Sequence, residues 1–399
     1  MYTTQEIGSL SKPRWFINYL RKKPISEEDI KEIEYWGKFL EIDNYKELIE
    51  IIEQNEEFDE IKKWAVTFCI KFFEKLDLDR IYTGEVLRKE MYEHAASKIG
   101  GFKFLGEVQS LDNKYYNIAN VVEEVYRREP IYLEEFRIAK DIARKQLKVP
   151  IIGPYTLAEW SLNQYYYKKA LKKANSIKEA KIKAKERLVF SLIENVYRDE
   201  IRELVENGAK WIQVDEPAAT THPSTEEMLL FVEGYNQLTK DFHITFSLHN
   251  CYSNYRILSK YAPLLKNCNQ LALEFANRDT LKLGLDEKSR IGYNEIRLFI
   301  ENGYEGNFGV GVLHVLDYDG ETSEFATIEN RTLIESVNLI RNRLDYVAKI
   351  VGDPSKITAN PDCGLRTRKD WKIVWKKLSN MVKAAKMRQN LNNISKYFY

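Results

Sequence analysis

The sequence predicts an α/β protein built as a (β/α)8 TIM barrel with helical and hairpin insertions. Short apolar runs alternate with long amphipathic helical stretches, the pattern of βα units laid around a parallel sheet. Eight such runs can be placed along the 399 residues, which favours a closed ring over an open sheet. Polar side chains able to do chemistry recur where those runs end, the face on which barrels of this kind carry their sites.

The eight runs are TTQEIG (3–8), RIYTG (80–84), VPIIGP (149–154), WIQVD (211–215), HITFSL (243–248), LALEFA (271–276), FGVGVLHV (308–315) and ITAN (357–360). Helical periodicity fills the intervals, as in ERLVFSLIENVYRDEIRELVENGA (186–209). Two connections exceed what a minimal barrel needs. Residues 16–78 read as mostly helical, and residues 101–148 hold FKFLGEVQSL and YYNIANVVEEVY, a strand pair projecting from the barrel. With no internal repeat, Pro- or Ser-rich linker or low-complexity tract, residues 1–399 read as a single domain with these two insertions.

Composition narrows the function classes. Sixty-one basic and 60 acidic side chains leave a net charge of +1, which provides no global field for nucleic acid or an anionic membrane. Mixed runs such as KKANSIKEAKIKAKER (168–183) read as solvated helix faces. No apolar run approaches a membrane span, and MYTTQEIGSL lacks the basic and apolar regions of a signal peptide, so a cytoplasmic location is expected. The four cysteines (Cys69, Cys251, Cys268 and Cys363) are not grouped as a disulfide framework.

The strand ends carry a specific set of side chains. Ser9 follows the first run and Glu85 the second; WIQVD ends in Asp215, before Glu216 and Pro217. HITFSL leads into His249, Asn250 and Cys251; LALEFA contains Glu274; ITAN leads into Pro361, Asp362, Cys363 and Gly364. A lone strand-end histidine or cysteine is more often structural, and a lone glutamate more often a solvated or ion-paired carboxylate. His249, Cys251, Glu274 and Cys363 at one face are different, because zinc accepts all four ligand types in tetrahedral sites. Cys69 and Cys268 lie in helix-like contexts and read as packing residues. The donor set also points to a reaction class. Hydrolytic zinc sites favour neutral imidazoles that keep the ion electrophilic. Two thiolates and a carboxylate quench that acidity, yet the ion still keeps a bound thiol deprotonated near neutral pH. Such a site suits S-alkylation.

The same segments resemble the catalytic barrel of the cobalamin-independent methionine synthases, from TTQEIGSL to ANPDCGLRTR. WIQVDEPA resembles the family's substrate-binding aspartate strand, LHNCYSN its H-x-C-Y-S zinc motif and LALEFANRD the strand of the glutamate ligand. NPDCGLRTR resembles the loop of the last cysteine, and IIGPYTLAEWS the G-P-x-T segment with its tryptophan. The resemblance implies Zn2+ on His249, Cys251, Glu274 and Cys363. It implies homocysteine held by Ile7, Gly8 and Ser9, with Glu85 and Asp215 at its amino-acid end. Paired carboxylates suit an ammonium, and N–H groups with the Ser9 hydroxyl suit a carboxylate; the competing role for Glu85 and Asp215 is ion pairing at the barrel mouth. Trp160 is a candidate stacking surface for a flat methyl donor, or else a core aromatic.

Three departures bear on the donor. The family's separate N-terminal half, which helps bind polyglutamyl folate, has no counterpart here, as in the short archaeal-type relatives. The donor is then a methyl-pterin or a methylcorrinoid, free or carried by a protein. The family's D-x-H histidine is displaced: GVGVLHVLDYDGE places His314 two positions early and Leu316 in its place, leaving His314 and Asp317 as candidate acids. A methyl on a pterin nitrogen needs protonation to leave, whereas one on cobalt does not. Finally, the family's H-G-E reads T-G-E, with Thr83 for histidine. The leading expectation is methyl transfer to homocysteine, giving methionine. One alternative alkylates another thiol such as coenzyme M, whose sulfonate would favour a cationic pocket over Glu85 and Asp215. The other is a non-catalytic paralogue that binds a pterin or corrinoid.

Overall fold

The computed structural model describes residues 1–54, 58–109, 115–276, 281–285, 292–315 and 334–387. Eleven strands occur among them: β1 (Thr3–Thr4), β2 (Arg80–Ile81), β3 (Ile99–Gln109), β4 (Tyr115–Arg127), β5 (Gln146–Leu147), β6 (Val149–Ile152), β7 (Trp211–Asp215), β8 (Thr245–Asn250), β9 (Gln270–Leu273), β10 (Asn307–Leu313) and β11 (Ile357–Pro361). Seven of them form a curled parallel sheet in the order β1-β11-β10-β9-β8-β7-β6. Strands such as β6, β7 and β9 are buried along their whole length, as expected of parallel strands covered by helices.

Beyond the two ends of that sheet, β2 pairs in parallel with β5. Gln5 bridges to Arg80, and the Glu6 N–H donates to the Arg80 carbonyl. On the other side only Lys148 separates β5 from β6, and its N–H donates to the Ile81 carbonyl.

The long first connection is helical, as expected: α1 (Arg14–Leu20), α2 (Glu27–Phe39), α3 (Glu47–Gln54) and α4 (Phe58–Lys75). Ser26 starts α2 with a reciprocal capping box to Asp29. The second insertion is an antiparallel hairpin of β3 and β4, whose register shifts next to Gly101 (φ 94°). There a Cβ would stand 2.8 Å from the Glu124 carbonyl oxygen, so the bulge requires glycine. The remaining helices are α5 (Met91–Ala96), α6 (Leu133–Ile142), α7 (Pro154–Glu159), α8 (Gln164–Leu171), α9 (Ile177–Leu192), α10 (Arg198–Glu206), α11 (Thr225–Thr239), α12 (Tyr255–Tyr261), α13 (Ile296–Glu301), α14 (Val337–Val351) and α15 (Trp371–Lys386). A π turn over Ile193–Tyr197 joins α9 to α10 within the helical stretch read from periodicity.

Two strand limits differ from expectation. The run 3–8 is a strand only at Thr3–Thr4, because from Glu6 onward its N–H groups turn to β2 and Gly84. The run 243–248 lies two residues too early, since His249 and Asn250 still pair with Ala272 and Leu273 of β9. The histidine therefore sits inside the strand, fixed by the sheet. Among the described residues no helix is long and apolar enough to cross a membrane.

Candidate metal and thiol site

His249 and Cys251 come from the end of β8, and Cys363 from the loop after β11. Their ligand atoms all lie within 4.8 Å of one another. The two sulfurs are 3.7 Å apart. Two thiolates at about 2.3 Å from a tetrahedral ion stand about 3.8 Å apart, so the pair is already spaced for one. The His249 Nδ1 donates to the Ala272 carbonyl at 3.0 Å, which fixes the ring so that the buried Nε2, once deprotonated, presents its lone pair to the thiols. An acceptor nitrogen beside two sulfurs, fixed from behind by a carbonyl, fits a zinc-type cation.

The electrostatics express the same crowding. The contact with Cys251, with help from His249, holds Cys363 well below the usual thiol range, and the same contact with burial lifts Cys251 well above it. Burial alone would lower the His249 pKa, but the neighbouring Cys363 lifts it to about 9.

Glu274, just past the end of β9, is not within the three-residue cluster, but it borders it. Its Oε1 accepts the Tyr252 N–H at 2.8 Å, a bond made possible by the left-handed turn at Tyr252 (φ 56°) directly after Cys251. The Tyr255 hydroxyl joins the two strand ends, donating to the Asn250 carbonyl at 2.9 Å and accepting the Glu274 N–H at 2.7 Å. Asp362 completes the frame. Its Oδ1 accepts from Phe275 N–H at 2.9 Å and Ala276 N–H at 3.0 Å, tying the Glu274 segment to the Cys363 loop. Gly311 leaves room for this carboxylate, which a Cβ there would meet at 2.1 Å.

Ile7, Gly8 and Ser9 lie next to the same mouth. The Ser9 carbonyl accepts the Leu365 N–H, and a Cβ on Gly364 would meet the Ser9 hydroxyl oxygen at 2.4 Å. Glu85 lies over Gly8, its Oε1 3.1 Å from where a Cβ would stand. Its backbone is left-handed (φ 54°) and its N–H donates to Thr83 Oγ1, which in turn donates to Glu135 at 2.6 Å. Thr83, standing where the family has histidine, thus links Glu85 to Glu135, and Arg88 bridges the same two carboxylates at 3.4 and 2.8 Å. Asp215 pairs in register with His249, and its Oδ1 accepts from Gln213 at 2.7 Å. Burial raises the pKa of Glu85 and lifts Asp215 to about 7.

The sequence did not single out Glu6 or Lys148. Glu6 is buried with neither carboxylate oxygen hydrogen-bonded, and burial raises its pKa to about 8 against the pull of Lys148. Lys148 donates to the Glu6 carbonyl at 2.9 Å and to Gln213. The missed signal was a charged residue inside each of two apolar runs, TTQEIG and LKVPII. Glu216, beside Asp215, has a role that its position in the sequence does not reveal. Its carboxylate accepts from Tyr155 and Thr156 N–H at 3.1 and 2.6 Å, seating the start of α7.

Trp160 ends α7 half-buried, 6.3 Å from the Tyr116 ring of the hairpin. His314 is buried and is not one of the three clustered residues: its backbone N–H donates to Glu335 at 2.7 Å and its Nδ1 lies 3.3 Å from the Arg368 guanidinium. Asp317 lies outside the described residues.

The profile of the family described as "Cobalamin-independent synthase, Catalytic domain" matches residues 44–387. The chain belongs to this family. It is an enzyme, and its relatives agree over nearly the whole length. It is 37% identical to a methionine synthase of Thermoplasma acidophilum over 392 residues, 96% of each chain. It is 34% identical to a methionine synthase of Pyrococcus abyssi over 385 residues, 96% of this chain and 92% of the relative. Among solved structures, the B12-independent methionine synthase of Shewanella sp. W3-18-1 in complex with selenomethionine superposes with a TM-score of 0.65 at 17% identity, covering 96% of this chain and 97% of that one. A methyltransferase from Methanosarcina mazei gives 0.55 at 13% identity, over 96% and 93%. At such identities the two structures speak for the fold of the family alone.

Proposed function

We propose that this enzyme of the cobalamin-independent synthase family transfers a methyl group to the thiol of homocysteine, forming methionine, with zinc as its resident ion. The reading rests on one observation: an imidazole nitrogen and two sulfurs, brought from β8 and β11, converge with the sulfurs 3.7 Å apart. His249, Cys251 and Cys363 would hold the ion, with Glu274, anchored beside Cys251 through Tyr252, as the fourth ligand. When bound, zinc makes the substrate thiol a thiolate at neutral pH while two sulfur ligands keep that thiolate electron-rich.

The chain's own residues orient the amino acid. Glu85 and Asp215, both desolvated, suit the substrate ammonium; the Ile7–Ser9 main chain and the Ser9 hydroxyl suit its carboxylate. Glu6 adds a third buried carboxyl to the same end of the sheet. An incoming ammonium would draw these groups toward their ionised forms, so substrate binding and proton release are linked. Trp160 and Tyr116 would offer an aromatic shelf to a flat methyl donor, a pterin or a corrinoid. Holding thiolate and methyl in line within the mouth supplies most of the rate.

The proposed scaffold is one domain, a (β/α)8 barrel with the helical and hairpin insertions, working in the cytoplasm. The Gln5–Arg80 bridge, the β2–β5 pairing and the run of β5 into β6 support closure of the ring. A cobalt-substituted enzyme tests the function. Homocysteine should shift its thiolate-to-cobalt absorption and coenzyme M should not, and the zinc enzyme should form methionine from homocysteine and a methyl donor. A cobalt spectrum indifferent to homocysteine would sink the reading.

A further inference from the structure

Two loops at the mouth carry groups proposed to hold the amino acid: the Ile7–Ser9 segment after β1, and Glu85 in the turn after β2. The chain ties these loops together on both sides of Glu85. Before it, the Leu10 N–H donates to the Gly84 carbonyl at 2.8 Å. Gly84 is left-handed (φ 62°), and a Cβ there would stand 2.6 Å from the Leu10 Cβ, so the two loops are in direct contact. After it, the Lys12 ammonium donates to the Val86 carbonyl and, at 2.6 Å, to the Arg88 carbonyl. The Arg88 N–H closes the turn on the Glu85 carbonyl at 3.0 Å. Ser11, next to Lys12, is held from the far end of the chain, its carbonyl accepting the Trp371 indole N–H at 2.8 Å.

Holding a turn with a desolvated cation carries a penalty. Among the described residues Lys12 has carbonyls and no carboxylate as hydrogen-bond partners, and burial lowers its pKa to about 8 against the attraction of Glu135. What the cation contributes is stiffness: charge-assisted bonds to two carbonyls at once are stronger than neutral ones. An α-amino acid needs that stiffness. Its ammonium and carboxylate share one carbon, so both are satisfied only while Glu85 and the Ile7–Ser9 segment keep a fixed separation; a displacement of about 1 Å can cost about 100-fold. Resting on the proposed function, we infer that Lys12 is a positioning residue for homocysteine, clasping the turn of Glu85 to the Ile7–Ser9 loop so that one α-amino acid meets both.

The test compares three thiols on the cobalt-substituted enzyme through the thiolate-to-cobalt absorption: homocysteine, 3-mercaptopropylamine, which lacks the carboxylate, and 4-mercaptobutyrate, which lacks the ammonium. Lys12→Met should weaken homocysteine and 3-mercaptopropylamine by about tenfold, because both engage Glu85, and leave 4-mercaptobutyrate unchanged. Cobalt should remain at one ion per chain. In methionine formation by the zinc enzyme, KM for homocysteine should rise about tenfold with kcat retained. Lys12→Arg keeps a cation able to reach both carbonyls and should restore most of the loss. Should Lys12→Met not fold, Lys12→Gln gives the same comparison. An equal loss for all three thiols, a fall in bound cobalt, or no rescue by arginine would mark a merely structural lysine and overturn the inference, as would unchanged affinities. A wild-type spectrum that ignores homocysteine sinks the substrate reading, whereas a wild-type response that Lys12→Met leaves intact removes the role of Lys12 alone.

Discussion

Glu6 combines complete burial with two carboxylate oxygens that find no hydrogen bond, which makes the ionised form costly. Its pKa of about 8 in the folded chain stands well above the ordinary value of 4.5, so the native state binds a proton that the unfolded chain has lost. The stabilisation from this carboxyl is complete below about pH 4.5 and drains away as pH rises through 8. Asp215, lifted from 3.8 to about 7, acts in the same direction over a lower window. Thermal melts of the substrate-free protein should therefore lose several degrees between pH 5 and pH 8, and Glu6→Gln should flatten that slope. An unchanged slope in the variant would mean that Glu6 does not hold its proton. Cys363 argues differently, because its sulfur lies on a loop outside the packed interior of the sheet. Cys363→Ser should lose bound metal and methionine formation together, measured by metal content and turnover, with far-UV dichroism unchanged. Full metal content in that variant would remove Cys363 from the ligand set.

At the scale of elements, the site depends on three strand ends being held together, and Asp362 does much of the holding. One of its oxygens takes two N–H groups from the segment after β9, so the Glu274 region and the Cys363 loop move as a unit. Asp362→Ala should weaken metal binding by roughly 10- to 100-fold without unfolding the chain, since supporting contacts of this kind carry that much affinity. Asp362→Asn keeps an accepting oxygen and should lose far less; competition titration with a chelator separates the two, and equal losses would rule out a positioning role. The sequence made the strands legible because buried parallel strands are continuous apolar runs, and it made His249, Cys251 and Cys363 legible because their donor types are rare together. Tyr255 and Asp362 were not legible as supports. Their roles arise from hydrogen bonds to the backbone of other strands, and any residue's N–H can supply such a bond. The limits of β1 and β8 slipped for a related reason. Pairing with Arg80, Ala272 and Leu273, not local propensity, decides where those strands stop.

Over the whole molecule, segments far apart in sequence meet: β1 pairs with β11, and the insertion α1–α4 packs against α15. The contact is aromatic. Trp36, Phe72 and Trp371 form a triangle with ring centroids 4.9 to 5.6 Å apart, and Trp375 stands 5.4 Å from Phe72. Phe72 is fully buried at the centre of this cluster. Its removal leaves a cavity bounded by three large rings that have little freedom to collapse into it, so Phe72→Ala should cost about 3–5 kcal/mol. The proposed metal ligands come from β8 and from the β9 and β11 ends, none of which contributes to this cluster. The loss should therefore appear as a lower denaturation midpoint with an unchanged slope, while the folded fraction still binds one metal ion per chain with wild-type affinity. If metal affinity fell in step with stability, the helical insertion would be coupled to the site through its contact with α15, and the separation between packed frame and reactive mouth would not hold for this fold.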